Sequence, residues 1–464
     1  MSAIADYVNL HRERFIQELR EIVRIPSVST EPEHRDDVYR AAEWVRDCFR
    51  RIDVPAEIIP TEGHPALLAE LGDDNDGPTV LIYGHYDVQP AQREDGWTHE
   101  PFGAEVDGDI LYGRGSADNK GQFLAHIQGL EVYRKAIGKP RLRIRFLIEG
   151  EEEIASPHLG DLIRAKKEDL HPDVIVISDT SMFQKDLPTI CYGLRGLAVA
   201  EITVFGAIRD LHSGSYGGTV VNPIHLLAEI LAALHDKDGR VAVPGFYDDV
   251  EPLEAWERQA WADLPWSDGE YRRDLGLDRL YGEPGYSTLE RCWGRPTLEI
   301  NGIYGGFAGH GSKTVIPCRA SAKITCRLVP NQNPVRVLNQ MEGYIKSLES
   351  HGARVEMIRH SAGEPVRLET TGPWMEALKV SLAKGFGREP VFIREGGSIP
   401  IVSLLREEFG APILLAGFAR PDCRAHGPDE YLSLADYERA IRTAAILLDE
   451  LAKPQKALIS PVSG

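Results

Sequence analysis

Two histidines and a set of carboxylates, each placed where an apolar run ends, are the residues of this 464-residue sequence whose types and spacing could do chemistry. The run Thr79-Val-Leu-Ile-Tyr83 leads into Gly84-His85-Tyr-Asp87. Side chains at i and i+2 leave a strand on the same face, so His85 and Asp87 point one way. That spacing suits a metal-ligand histidine whose ring is held by a neighbouring carboxylate. Asp118 lies in Gly113-Arg-Gly-Ser-Ala-Asp118-Asn-Lys-Gly121, Glu151, Glu152 and Glu153 follow Arg143-Ile-Arg-Phe-Leu-Ile148, and Asp179 follows Asp173-Val-Ile-Val-Ile-Ser178. Late in the chain, Asp422-Cys-Arg-Ala-His426-Gly-Pro supplies the second histidine. Two imidazoles and several carboxylates make a mixed nitrogen and oxygen donor set, suited to Zn2+, Mn2+ or Co2+ and poor for copper or iron–sulfur chemistry. A hydrolytic site also needs one carboxylate left off the metal as general base, a division of labour that adjacent glutamates permit.

Each of these residues also has an ordinary structural role. Asp118, just before a helix, and Asp179, beside Thr180, suit helix caps. A histidine at a strand end suits a hydrogen-bonded core position. The run Glu151–Glu153 suits a solvated loop, although three like charges after a buried strand repel one another unless a cation balances them.

The elements that must position these side chains alternate. Helical spacing covers about 3–24 and 36–52; strands fall near 56–60 and 65–71, then a turn at 73–77 and the strand ending at His85. A short strand at 109–115, a helix over 120–136, and strands at 143–148 and 173–178 follow, with the pattern resuming after 373 as helix 373–385, strand 390–394, helix 399–409, strand 412–417 and helix 433–452. This predicts an α/β fold with a mostly parallel sheet and helices on both faces. Open sheets of that kind place their sites at the carboxyl ends of the strands.

The middle of the chain reads as strand 198–206, helix 223–235, strand 297–304, strand 320–329, helix 334–350 and strand 353–360, the β-α-β-β-α-β order of a ferredoxin-like α+β unit. Its long interruption at about 240–296 reads as a partly helical excursion. The expected organisation is a discontinuous catalytic domain, 1–192 with 365–464, and an inserted domain, 193–364.

A net charge of −19 argues against nucleic acid and anionic membranes as partners. Six cysteines without C-x-x-C spacing read as reduced thiols. The amino-terminal stretch lacks a signal-peptide core and the chain lacks a membrane-spanning run, so a cytoplasmic protein is expected. Gly311-Ser-Lys313-Thr314 is a near miss to a phosphate loop, but Ser312 intrudes and no helix follows. No G-x-S-x-G elbow is present, which weakens a serine hydrolase.

Taken together, Gly84-His85-Tyr-Asp87, Gly113…Asp118-Asn-Lys-Gly121, Glu151-Glu152-Glu153, Ser178-Asp179 and Ala425-His426-Gly-Pro resemble, in order, the motifs of the two-zinc metallopeptidases that include carnosine dipeptidase, carboxypeptidase G and succinyl-diaminopimelate desuccinylase. The resemblance implies two Zn2+ per subunit, with Mn2+ or Co2+ as substitutes: Asp118 shared by both, His85 and Asp179 completing one, Glu153 and His426 the other. Asp87 would steady His85, and Glu152 would be the base. Asp210-Leu-His212-Ser-Gly matches the family motif for a histidine from the partner subunit, which implies a homodimer through the inserted domain and a role for His212 on the tetrahedral intermediate. Arg327 resembles the anchor for a substrate carboxylate, with Thr314 and Glu395, Gly397 and Ser398 of Arg394-Glu-Gly-Gly-Ser as further contacts. Asp rather than Glu at 179 accords with the dipeptidase branch, and the implied reaction is hydrolysis of dipeptides or short peptides. The branch often carries a histidine after the last inserted strand; Ser361-Ala-Gly-Glu-Pro offers none, and only His360 could stand in. An N-acyl amino-acid amidohydrolase of the same fold is the alternative, and a non-catalytic binding protein is expected to lack a ligand or the base, none of which is missing.

Overall fold

Burial on both faces dictates the centre of the main sheet. In the computed structural model, which describes residues 2–73, 77–397 and 399–453, Thr79–His85 and Val174–Ile177 are buried almost without interruption. Near-continuous apolar runs are what a parallel strand covered on both sides requires. The predicted turn at 73–77 falls partly outside the described residues, at 74–76.

The chain divides into two units: Met1–Tyr192 with Leu368–Ile393 and Pro400–Gly464, and Gly193–Arg367 with Arg394–Ile399. The first contains the main sheet, in spatial order Ala56–Ile59, Ala66–Leu71, Arg143–Glu149, Thr79–His85, Val174–Ile177, Ile413–Leu415 and Thr189–Leu194. The four strands from Arg143–Glu149 to Ile413–Leu415 are parallel, and the outer pairings are antiparallel. The parallel register sets His85 beside Glu149 and Tyr83 beside Ile177 as well as Leu147. The strand ends that carry His85, the Glu151–Glu153 turn and Asp179 are therefore level with one another.

Helix Lys120–Ala136 is buried from Lys120 to Tyr133 and packs between helices Ser2–Val23 and Leu434–Leu451. Its polar residues keep that burial affordable because they are bonded: Lys120 Nζ donates to the carbonyls of Ile22 and Ile25 at 3.1 and 2.6 Å, and Gln122 to that of Ala117 at 2.9 Å. Gly84 lets the helix start approach the His85 strand, since a Cβ there would meet Phe123 Cβ at 2.5 Å. A small antiparallel sheet, Glu105–Asp107, Ile110–Tyr112 and Tyr431–Ser433, joins the loop that follows residue 112 to the one that precedes residue 431. Sequence reading found its middle strand and missed the pairing, which links positions more than 300 residues apart.

The second unit has a four-stranded antiparallel sheet in the order Thr297–Gly305, Arg319–Leu328, Gly196–Phe205, Arg354–Gly363, with helices Pro223–Ala233 and Pro334–Ser347 packed on it. That is the ferredoxin-like order. The excursion between its first helix and second strand holds helices Ala255–Ala262, Asp268–Asp274 and Thr288–Gly294. Arg394–Ile399 belongs to this unit because the Arg394 guanidinium pairs with the buried Glu257 carboxylate, and the Arg195 amide faces the Glu395 and Gly397 carbonyls at 3.3 and 3.2 Å.

Candidate metal centre

Five donor side chains that the sequence scatters from 85 to 426 meet in the first unit. His85 Nε2 lies 3.2 Å from Asp118 Oδ1 and 3.6 Å from Asp179 Oδ1. His426 Nε2 lies 3.0 Å from Asp118 Oδ2 and 3.3 Å from Glu153 Oε2. The two sets share Asp118, one oxygen facing each histidine, and within each set the donor atoms lie within 4.8 Å of one another. Arms of 2.0–2.1 Å around a tetrahedral ion put neighbouring donors about 3.3 Å apart, so these spacings fit two ions. Glu153 Oε1 is buried with no hydrogen-bond partner among the described residues, an atom that a cation would satisfy.

Electrostatics point the same way. Burial opposes charge on Asp118, yet hydrogen bonds from His426 and His85 outweigh it and hold the carboxyl below the usual range. The His426 imidazole is pushed up to about 10, first by Asp118 and then by Glu153. Burial opposes the proton on His85, but Asp179 and Asp118 raise it well above its ordinary value. The cluster attracts positive charge, a demand that divalent cations meet as readily as protons. Glu152 is pushed up to about 9 by burial, with Asp179, Glu153 and Asp118 adding to the rise and His85 opposing it.

The second layer explains why these side chains hold still. Asp87 approaches the His85 ring with two groups. His85 Nδ1 lies 3.1 Å from the Asp87 main-chain carbonyl and 3.5 Å from its carboxylate. The strand ends at His85, and the turn that follows brings the carbonyl nearer the ring than the carboxylate. The carboxylate also accepts the N–H groups of Glu152 and Glu153 at 3.2 and 3.1 Å and the Ser29 hydroxyl at 2.7 Å. Neither Asp118 nor Asp179 caps a helix; the helix at 120 begins on Asn119, whose amide donates to Asp179 Oδ1 at 2.7 Å. The three glutamates part ways: Glu151 accepts from the His64 amide at 2.9 Å and lies 2.9 Å from His158 Nδ1, while Glu153 accepts from Gln89 at 2.7 Å.

Sequence reasoning missed Glu430. Its buried carboxylate gathers the N–H groups of Gly115, Ala117 and Asp118 at 3.1, 2.9 and 3.0 Å and the Arg114 guanidinium at 2.7 Å. It thereby ties the Asp118 loop to the segment that carries His426. One glutamate in an acidic chain gives no signal of this, although its place four residues after His426 is a weak one.

His126, behind Asp179, touches the Ser178 hydroxyl at 2.8 Å and is pushed down to about 4 by burial. The unfolded chain takes up that proton below about 6.5 and the folded chain only below about 4, so stability should fall as pH drops through this window and level off beneath it. The drop should be on the order of 3 kcal/mol. Urea titrations of chelated protein from pH 7 to 4, with His126→Gln alongside, check this: the variant should show a shallower slope.

In the second unit, His212 is exposed, and its Nδ1 accepts the Gly214 N–H at 3.0 Å, leaving Nε2 as the nitrogen that could donate. Thr314 lies beside it, its carbonyl 3.1 Å from the Ser213 amide. Arg327 is half-buried on Arg319–Leu328. Burial lowers Arg195 to about 10, with a contribution from the nearby Arg327, and Arg195 Nε donates to the Gly396 carbonyl at 3.1 Å, close to Glu395 and Gly397. Ser398 lies outside the described residues. His360, on Arg354–Gly363, sits 3.8 Å from Glu201.

Acidic and imidazole donors, three of them at or just past the ends of parallel strands, form two sets that share one aspartate, and the chain is a metallopeptidase. The chain belongs to Peptidase family M20/M25/M40, whose sequence pattern matches residues 81–450. It is 33% identical to human Beta-Ala-His dipeptidase over 98% of this chain and 93% of that protein. It is 32% identical to Cys-Gly metallodipeptidase dug1 of Schizosaccharomyces pombe, over 97% of this chain and 98% of the relative. The crystal structure of human carnosine dipeptidase 1 superposes with a TM-score of 0.84 at 31% identity, covering 97% of this chain and 98% of that one.

Proposed function

We propose that this metallopeptidase hydrolyses dipeptides, with two divalent cations held by His85, Asp118 and Asp179 and by Asp118, Glu153 and His426. The observation that carries the reading is the shared Asp118 with Glu152 beside it. The similarity to human Beta-Ala-His dipeptidase and to a yeast Cys-Gly metallodipeptidase supports the substrate class. Bound Zn2+, the metal we propose, would polarise the scissile carbonyl and acidify water, as Mn2+ or Co2+ could in its place. Glu152 takes the proton of the attacking water and hands it to the leaving amine. Two cations nearby would pull its raised pKa back towards the range a base needs. Arg327 binds the substrate carboxylate, aided by Thr314, Glu395, Gly397 and Ser398, and His212 stabilises the developing oxyanion from a second copy of the chain.

A homodimer through the second unit is part of this reading. Ile300, Ile303, Tyr304 and Phe307 are exposed along and just beyond the edge strand Thr297–Gly305, an apolar margin that suits a self-complementary contact. A cytoplasmic setting accords with six cysteines that form no disulfide among the described residues. Among the described residues, no helix is long and apolar enough to cross a membrane.

The test is a panel of free dipeptides, amino-blocked dipeptides, carboxyl-amidated dipeptides and N-acetyl amino acids, run on metal-stripped protein refilled with Zn2+, Mn2+ or Co2+. Turnover of free dipeptides should dominate, vanish on chelation and return with metal. Faster cleavage of N-acetyl amino acids would replace the reading with the deacylase alternative.

A further inference from the structure

We infer that Ser29 is a positioning residue for the centre, acting through Asp87; this rests on the metal-dependent reading above. Three observations carry it. The Ser29 hydroxyl is buried and donates to Asp87 Oδ2 at 2.7 Å. The same carboxylate accepts the Glu152 and Glu153 N–H groups, so its rotamer sets where the proposed base and a proposed ligand begin. The Asp87 carbonyl lies against His85 Nδ1, so a third functional side chain hangs on the same residue.

The segment that brings Ser29 there is itself fixed. Lys120 Nζ holds the Ile22 and Ile25 carbonyls, the Val88 N–H donates to Ser27 O at 3.0 Å, and Val28 bridges Val88 in parallel. His64 Nε2 lies 3.1 Å from the Ser29 carbonyl, while the His64 amide donates to Glu151. The hydroxyl therefore approaches Asp87 from a braced backbone, and among the described residues it is the one hydrogen-bond partner of the carboxylate from outside residues 85–153. Without it, Asp87 Oδ2 keeps only the Glu153 N–H among these contacts, and the carboxylate gains freedom to rotate. Loss of such an outer partner generally costs 10–100-fold in metal affinity or activity.

A neighbouring serine supplies the control. The Ser27 hydroxyl donates to the Tyr86 carbonyl at 2.6 Å, equally buried and on the same segment, but it does not touch Asp87. The experiment compares the full chain with Ser29→Ala, Ser29→Thr and Ser27→Ala. It measures Zn2+ affinity by chelator competition, the visible spectrum of the Co2+ form, kcat and KM on a free dipeptide, and melting temperature. Ser29→Ala should lose about 10–100-fold in Zn2+ affinity and in kcat, with KM within about threefold and an altered Co2+ spectrum. Ser29→Thr, which keeps the hydroxyl, should recover most of both, and Ser27→Ala should change neither beyond about twofold. Wild-type affinity, kcat and Co2+ spectrum in Ser29→Ala would overturn the inference, as would an equal loss in Ser27→Ala. If chelation left turnover of the wild-type chain intact, the metal-centred reading itself would fall; loss of turnover on chelation beside an inert Ser29→Ala would remove only the role of Ser29.

Discussion

Replacing Glu152 by glutamine is expected to leave metal bound while kcat falls by about 10²–10⁴, the usual contribution of a general base. The substitution keeps the side chain's shape and its N–H to Asp87, and removes only the capacity to accept and release a proton. None of the five donor side chains that form the two sets is altered. A thousandfold loss corresponds to about 4 kcal/mol of barrier. Metal content by atomic emission alongside steady-state kinetics distinguishes outcomes cleanly. Retained turnover removes Glu152 from the chemistry, and lost metal makes it a ligand rather than a base.

Alanine at His212 is expected to lower kcat by about 10²–10³ without changing metal content, in line with the removal of one oxyanion donor. Its Nδ1 is occupied by the Gly214 N–H, so Nε2 is the nitrogen offered to a ligand. If that ligand sits in the partner subunit, co-expressing His212→Ala with Glu152→Gln creates mixed dimers in which one site has both an intact base and an intact histidine. A random mixture should then show about one-quarter of wild-type activity, because half the dimers are mixed and each has one sound site. Activity no higher than either variant alone would place His212 outside any shared site.

The centre was legible because metal chemistry needs particular side chains at particular places. Buried apolar runs fix where strands end, and His85, the three glutamates and Asp179 stand at those ends; the parallel register then brings them level. What surrounds them was not legible. Glu430 reaches Asp118 across 312 residues and Ser29 reaches Asp87 across 58, and nothing in the local context of either reveals its target. The function of Asp87 was half visible: its proximity to His85 follows from spacing, but which of its oxygens meets the ring depends on where the strand stops. The second unit's outline followed from its β-α-β-β-α-β order, whereas the allegiance of Arg394–Ile399 depended on a buried Arg394–Glu257 pair that no periodicity encodes.

The order of the ligands along the chain has a consequence for biosynthesis. A ribosome releases His85, Asp118, Glu153 and Asp179 early, then the whole of Gly193–Arg367, and only afterwards His426. Domains fold as units during translation, so the nascent protein carries three acidic donors and one imidazole through the making of the intervening unit before the last one arrives. His426, with 57% of its side chain exposed, is the last of the five donors in chain order. The second donor set therefore lacks its imidazole until residue 426 has been made.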